Sequence, residues 1–275
     1  QHDRPYAIAA PSARQMDIIL IKASEVTRGT PPGHYNALFL QDCNALDTDE
    51  FLDAIAAANQ QDAFVFWNHH TWKGVAKGQW EDVQTQMTDK QWLHGMEVAN
   101  GGTYYRLAHK WCLEKNLTML GNSDVHGPLS DKAYTPDKHR TLTLVFAKER
   151  SAAGLREALF KGRTAVWIGT DLYGRQASLE PLFQLRVQVA SPHPSHTDEL
   201  LFVVTNHAFI YLRLTRVGAS GPLAIRLPPH AKAIVRTKIN PEGQTLLSYR
   251  VENLHIDPDT GLRVEWKITE GMTIN

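Results

Sequence analysis

Strand-like and helix-like patterns alternate through the first two-thirds of this 275-residue chain, and then the helical pattern stops. Residues 6–16 read as a helix, 17–22 as a strand ending at Glu25, and 35–40 as a second apolar run. An Ala-rich amphipathic helix is expected over residues 49–59. The segment Ala63-Phe64-Val65-Phe66-Trp67 is almost continuously apolar, as in strands buried on both faces of a parallel sheet. A helix over 80–87, a strand over 95–98 and a helix over 104–116 follow. Residues 117–120 and 141–146 read as strands, and 152–161 as a helix closed by Gly162. Such alternation implies a parallel α/β sheet or barrel, because each connecting helix must pack back on the sheet.

Beyond about Leu172 the texture changes to short alternating runs at 183–189, 199–205, 210–215, 223–227, 233–238, 245–251 and 262–268. Turns rich in Pro, Gly, Asn and Asp separate them, which is the pattern of an all-β sandwich with no helix. The expected organisation is an α/β domain over residues 1–174 and a β-sandwich over 175–275. A hydrophobic content of 43% is enough to give each a core.

Twenty-nine basic side chains balance 29 acidic ones, which argues against nucleic acid or a membrane surface as partner. No stretch approaches the roughly 20 apolar residues of a membrane span. Cys43 and Cys112 lack C-x-x-C spacing and read as buried thiols rather than a disulfide. Gln1-His2-Asp3-Arg4-Pro5 is not an initiating segment and reads as mid-protein sequence, so an N-terminal part is expected to be missing. No signal peptide is visible, and the compartment and oligomeric state are not legible.

The strand ends carry the chemistry. Glu25 follows the first strand, and His34 lies in Pro31-Pro32-Gly33-His34-Tyr35-Asn36, a rigid turn that would aim it inward. Asn68-His69-His70 follows the third strand, and Glu97 ends the fourth. The segment Gly121-Asn122-Ser123-Asp124-Val125-His126 follows the fifth; if it stays extended, Asp124 and His126 point to one face. Strand C-termini of a parallel barrel open on one side, so these groups would converge there. Imidazoles and carboxylates without thiolates suit Zn²⁺, Mn²⁺ or Fe better than Mg²⁺ or Ca²⁺. Two or three such ions about 3.5–4 Å apart can clamp a phosphoryl group and generate hydroxide near neutral pH. The bland readings stand beside these: Glu25 caps the Thr27-Arg28 turn, Glu97 is a salt-bridged strand end, and His70 faces away from the site that His69 enters. Trp67, Trp72 and Trp80 either line a pocket or pack in the core and rim.

Lys22-Ala23-Ser24-Glu25-Val26-Thr27-Arg28, Pro32-Gly33-His34-Tyr35-Asn36-Ala37, Phe66-Trp67-Asn68-His69, Met96-Glu97-Val98-Ala99-Asn100-Gly101 and the Asp124-Val125-His126 segment together resemble the PHP (polymerase and histidinol phosphatase) superfamily. Within it they look most like the bacterial phosphodiesterase branch. The similarity runs to about Gly174, and the β-rich tail resembles that branch's C-terminal module. The resemblance implies a distorted (β/α)7 barrel whose site of up to three divalent ions hydrolyses phosphoesters with a metal-activated hydroxide. It implies that Glu25 bridges two metals, that His34 and His69 complete one site, that Asp124 serves the second and His126 the third. His69 and Asp124 would stand at the reaction centre, with His69 or His70, if unligated, protonating the leaving group. Arg28, His70 and Arg163 are candidate substrate contacts, and Glu97 and Asn100 are support rather than ligands.

The family opens on a His-x-His strand and an Asp-His or Glu-His loop, and nothing like them precedes Glu25. His70 also stands where a proline is usual. The barrel is therefore read as N-terminally incomplete, with an open sheet edge. The leading expectation is a metal-dependent phosphodiesterase acting on a small phosphoester. The alternative is a catalytically silent scaffold whose sandwich binds a partner. A metal-dependent amidohydrolase ranks third, because no carbamylatable lysine context is present. Export is what the resemblance suggests for compartment.

Overall fold

The computed structural model describes residues 2–127, 138–194, 199–240 and 242–269. In chain order the elements are α1 (Arg4–Gln15), β1 (Ala23–Thr27), β2 (His34–Leu38), α2 (Phe51–Gln60), β3 (Phe64–Trp67), α3 (Asp82–Asp89), β4 (Gly95–Asn100), β5 (Thr103–Tyr104), α4 (Arg106–Glu114) and β6 (Thr118–Asn122). They continue with β7 (Leu142–Val145), α5 (Ala152–Phe160), β8 (Thr164–Ile168), β9 (Asp171–Gly174), α6 (Gln176–Arg186), β10 (Val187–Val189), β11 (His193–Pro194) and β12 (Glu199–Asn206). The last are β13 (Leu212–Arg216), β14 (Ala224–Leu227), β15 (Lys232–Lys238), β16 (Gln244–His255) and β17 (Gly261–Thr269). The chain divides into two compact units, Gln1–Pro128 with Arg140–Val166, and Leu129–His139 with Trp167–Asn275. The change of texture near Leu172 falls shortly after this division.

The first unit is mixed α/β. Its sheet runs β1-β2-β3-β4-β5, with β6 on β4. Only β3, β4 and β6 are mutually parallel; β1–β2 and β2–β3 pair antiparallel, which corrects the expectation of an all-parallel arrangement. The short loop between β1 and β2 allows a hairpin but no crossover helix. All four residues of β3 are buried, as its unbroken apolar run requires. Around Trp67 the rings of Tyr35 and Trp111 lie nearly parallel at 5.9 and 6.1 Å, and Trp80 meets Trp67 and Trp111 edge-on. Each large side chain sequestered this way contributes roughly 2 kcal/mol or more. Helix α3 begins with a capping box between Glu81 and Gln84, and α5 with Ser151 accepting the Gly154 N–H at 2.9 Å.

The strand expected over 17–22 is absent. Asp17 takes φ 54° and the Ile18 N–H bonds back to the Ala13 carbonyl, so these residues close α1. The strand starts instead at Ala23, which puts Glu25 in the middle of β1 rather than after it.

In the second unit, β10 and β11 share one edge of β12, and β15 pairs with the other. A second group holds β14, β13, β16 and β17 antiparallel, with β9 parallel to β16. Strict alternation along β12 sends every second side chain inward. One expectation fails here. Residues 176–186 form helix α6, where the sequence pattern predicts no helix and a strand from Phe183. Leu179 and Phe183, four apart and buried, give the helix its inner stripe, and the β-branched pair Val187 and Val189 converts the chain to strand only afterwards. Cys43 and Cys112 are both buried and no disulfide joins them. No helix among the described residues is long and apolar enough to cross a membrane.

Candidate metal centre

The antiparallel register of β1 and β2 places Glu25 opposite Asn36 and Thr27 opposite His34. Alternation then sends Glu25, Thr27, His34 and Asn36 to one face, while Val26, Tyr35 and Ala37 go to the core. Gly33, at φ 92°, makes the turn into β2; a Cβ there would sit 3.3 Å from the Trp67 indole nitrogen. Past β3, the Asn68 N–H bonds the His34 carbonyl at 2.9 Å, so His69 arrives beside His34.

Three donors meet as a result. His34 Nδ1 lies 3.0 Å from Glu25 Oε1 and 2.9 Å from His69 Nε2. Ligand atoms of Glu25, His34 and His69 all fall within 4.8 Å of one another. A single in-plane ring nitrogen, with one proton or one lone pair, cannot satisfy both neighbours by ordinary hydrogen bonding. One shared cation satisfies all three, and the donor set of two imidazoles and a carboxylate is that of Zn²⁺ or a similar ion. The neighbouring Asn68 Oδ1 is buried with no hydrogen-bond partner among the described residues, a further acceptor turned into this region. The residues present therefore fit a divalent metal.

Glu97 orients the centre. It lies within β4 rather than at its end, and its side chain is 3% exposed. Its carboxylate accepts the His69 backbone N–H at 2.5 Å and the Asn122 amide at 2.7 Å. The Asn100 amide donates to both oxygens at 3.1 and 3.2 Å. Parallel register sets Asn100 beside Asn122, so the two amides flank the carboxylate from adjacent strand ends. Glu97 Oε2 stands 3.4 Å from His69 Nδ1, which leaves Nε2 to face His34. Burial opposes protonation of His69, but the hydrogen bond and charge of Glu97, with Asp124 and Glu25, raise its pKa overall. Burial dominates at His34 and lowers its pKa, keeping the imidazole neutral as a ligand must be.

Asp124 Oδ2 lies 3.9 Å from His69 Nδ1, on the other side of that ring from Glu25 and His34. Asp124 has φ 50°, so the chain turns at this residue and does not stay extended. The shared-face expectation for Asp124 and His126 fails for that reason. The His126 side chain is 85% exposed and donates through Nδ1 to the Asp124 carbonyl at 2.8 Å.

None of the three expected substrate contacts lines the cleft that His69 and Asp124 border, although Arg28 lines a neighbouring cavity of about 300 Å³ that Glu25 also lines. Arg28 donates to the carbonyls of Thr27 and Thr48 at 2.9 and 2.7 Å. Arg163 is held by the Phe146 carbonyl and forks onto Glu157, beyond the far end of β7 from the cleft residues Thr141 and Thr143. His70 is buried among Trp67, Tyr105 and Trp111, with Nδ1 donating to the Gly78 carbonyl at 2.6 Å. Its Nε2 is buried as well, and His70 is not among the residues that line the cleft.

The cleft itself, about 420 Å³, is lined by Glu25, Asn36, His69, Glu97, Asn122 and Asp124, among others. Asn122 and Asn36, to which the sequence motifs assign no role, also line it. A lone Asn closing an apolar strand beside a paired Asn was the available signal.

No family model matches the chain, and no curated protein does. Among solved structures it is similar to a two-domain protein from Bacteroides vulgatus ATCC 8482 that contains a predicted PHP-like metal-dependent phosphoesterase. The two are 36% identical, the match covers 98% of this chain and 80% of the other, and the TM-score is 0.91.

Proposed function

The chain belongs to the PHP superfamily, and from that premise we propose that it is a metal-dependent hydrolase of phosphoesters, most readily of phosphodiesters. The observation that carries this reading is the convergence of Glu25, His34 and His69. On this reading those three side chains hold one ion, Asp124 serves a second from the far side of His69, and His126 contributes to a third only after leaving the Asp124 carbonyl. Zn²⁺, Mn²⁺ and Fe are the ions the donor set admits. We read residues 1–174 as a domain of the distorted (β/α)7 barrel type and residues 175–275 as a β-sandwich.

A bound divalent cation would supply Lewis acidity, lowering the pKa of water and offsetting charge on the phosphoryl oxygens. The chain's own residues do the positioning. Glu97 locks the ring and backbone of His69, Asn100 and Asn122 lock Glu97, and Asp124 projects a carboxylate at the cleft. Buried support of this kind keeps the donors in place without reorganisation during reaction.

Turnover of bis(p-nitrophenyl) phosphate by the metal-loaded protein, with Glu25→Ala as control, tests the proposal; equal rates in the two proteins defeat it. The silent-scaffold reading draws support from His126, which turns to solvent rather than to the cleft. Metal analysis separates them: two or three equivalents favour the enzyme, one or none the scaffold.

A further inference from the structure

We propose that Lys73 is the side-chain cation that binds a phosphoryl oxygen of the substrate at this centre, held ready on the ring of Trp72. The inference rests on the phosphoesterase reading and adds a lysine to the candidate anion contacts, because Arg28 and Arg163 already hold hydrogen bonds within the chain. A phosphoester needs a directional cation to set its orientation as well as metal charge, and both arginines expected in that role are committed to backbone carbonyls or to Glu157. Lys22, the nearest lysine in sequence to Glu25, is tied to the Gln41 carbonyl and to Asp3.

Lys73 differs from all three. Its ammonium sits 3.8 Å from the centre of the Trp72 ring, and among the described residues it has no carboxylate partner. Trp72 in turn lies 4.9 Å from the His34 ring and 6.2 Å from the His69 ring. The charge therefore rests on the indole that packs against both imidazoles of the candidate metal centre.

Loop construction explains why it stays there. The Trp72 N–H bonds the His69 carbonyl at 2.9 Å, which fixes Trp72 relative to the ligand itself. The base of the loop is closed by His70, whose Nδ1 donates to the Gly78 carbonyl at 2.6 Å. Gly78 has no room for a side chain, because a Cβ would stand 2.2 Å from the His70 carbonyl oxygen. Between these anchors residues 72–77 are exposed, and Trp72 itself is 47% exposed. A cation resting on an exposed ring is held weakly enough to be handed to an anion that offers a charge-assisted hydrogen bond.

The test uses the metal-loaded full chain and inorganic phosphate, titrated by calorimetry, with Lys73→Met, Lys73→Arg and Glu25→Ala variants. Lys73→Met keeps most of the stem and removes the charge. It is expected to weaken phosphate binding about tenfold and to raise KM for bis(p-nitrophenyl) phosphate by a similar factor. Metal affinity should not fall and kcat should stay within about threefold, while Lys73→Arg restores most of the binding. Phosphate binding by Lys73→Met equal to that of the parent overturns the assignment. If that happens while Glu25→Ala loses metal and turnover, the metal centre stands and only Lys73 is wrong. Unchanged metal binding and turnover in Glu25→Ala removes the centre, and the Lys73 proposal with it.

Discussion

Replacing Glu97 by Gln isolates the support beneath the candidate metal ligands. The substitution keeps shape but turns one oxygen into an N–H donor and removes a charge. In the parent the carboxylate faces only donors: the His69 N–H at 2.5 Å, Asn122 at 2.7 Å and Asn100 at 3.1 Å. The least costly arrangement points the new amide at Asn122, which must then turn its carbonyl inward. The His69 N–H keeps an acceptor, but a neutral one. Losing charge assistance at a buried group costs roughly 1–2 kcal/mol, so the urea midpoint should fall accordingly. The larger effect falls on the metal. His69 Nδ1 loses its anionic neighbour at 3.4 Å, and loss of such an outer partner typically lowers metal affinity about 10–100-fold. The pH dependence follows from the same contact. Glu97 raises the His69 pKa against burial, so protons compete with metal from a higher pH than at an ordinary histidine. In Glu97→Gln that competition begins at lower pH. Calorimetric metal titration at several pH values measures both effects. An affinity within twofold of the parent, with the same pH profile, refutes the claim that Glu97 orients His69.

Other outcomes follow from neighbouring contacts. His34→Ala removes the nitrogen shared by Glu25 and His69 and should abolish metal retention through gel filtration; retained stoichiometric metal would contradict the triad. His126→Ala should leave binding of the first ion unchanged, because that side chain points to solvent; a tenfold loss would show that it reaches the cleft. Burial pushes His94 down to about 4 while its Nδ1 accepts the Val65 N–H. With a folded pKa below the unfolded 6.5, the unfolded chain takes the proton first, so stability present above pH 6.5 falls as pH drops towards 4, by roughly 3 kcal/mol. Urea midpoints against pH, compared with His94→Gln, check this; parallel curves would refute it. Gly78→Ala forces a methyl to within 2.2 Å of a backbone oxygen and should cost about 2–3 kcal/mol, read from the thermal midpoint; an unchanged midpoint would show that the loop yields freely.

What was legible in the sequence depended on how locally each feature is determined. The apolar run of β3 is buried on both sides whatever surrounds it, and it was readable directly. Glu25, His34 and His69 were readable because polar residues bordering such runs have few reasons to be there. Their geometry was not, since it depends on a hairpin register and on φ angles. Asp124 illustrates this: one residue in the left-handed region separates two side chains that alternation would have kept together. Helix α6 is hard to read because Pro181 lies inside it and Val187 and Val189 follow it, while only Leu179 and Phe183 mark its buried stripe. The commitments of Arg28 and Arg163 could not be foreseen, because they depend on Thr48 and on the Phe146 carbonyl, both remote in sequence.

Trp67 closes the strand that delivers His69, and Trp80 and Trp111 lie within 6.2 Å of it and of each other. Indoles this close couple their electronic transitions, so the first unit carries its own optical signature in the near-ultraviolet. The emission of Trp72, half open to solvent, should separate from theirs. A titration with cation or anion can thus be followed without any label: a change confined to the red edge reports events at Trp72, whereas loss of the coupled band reports disruption of the interior.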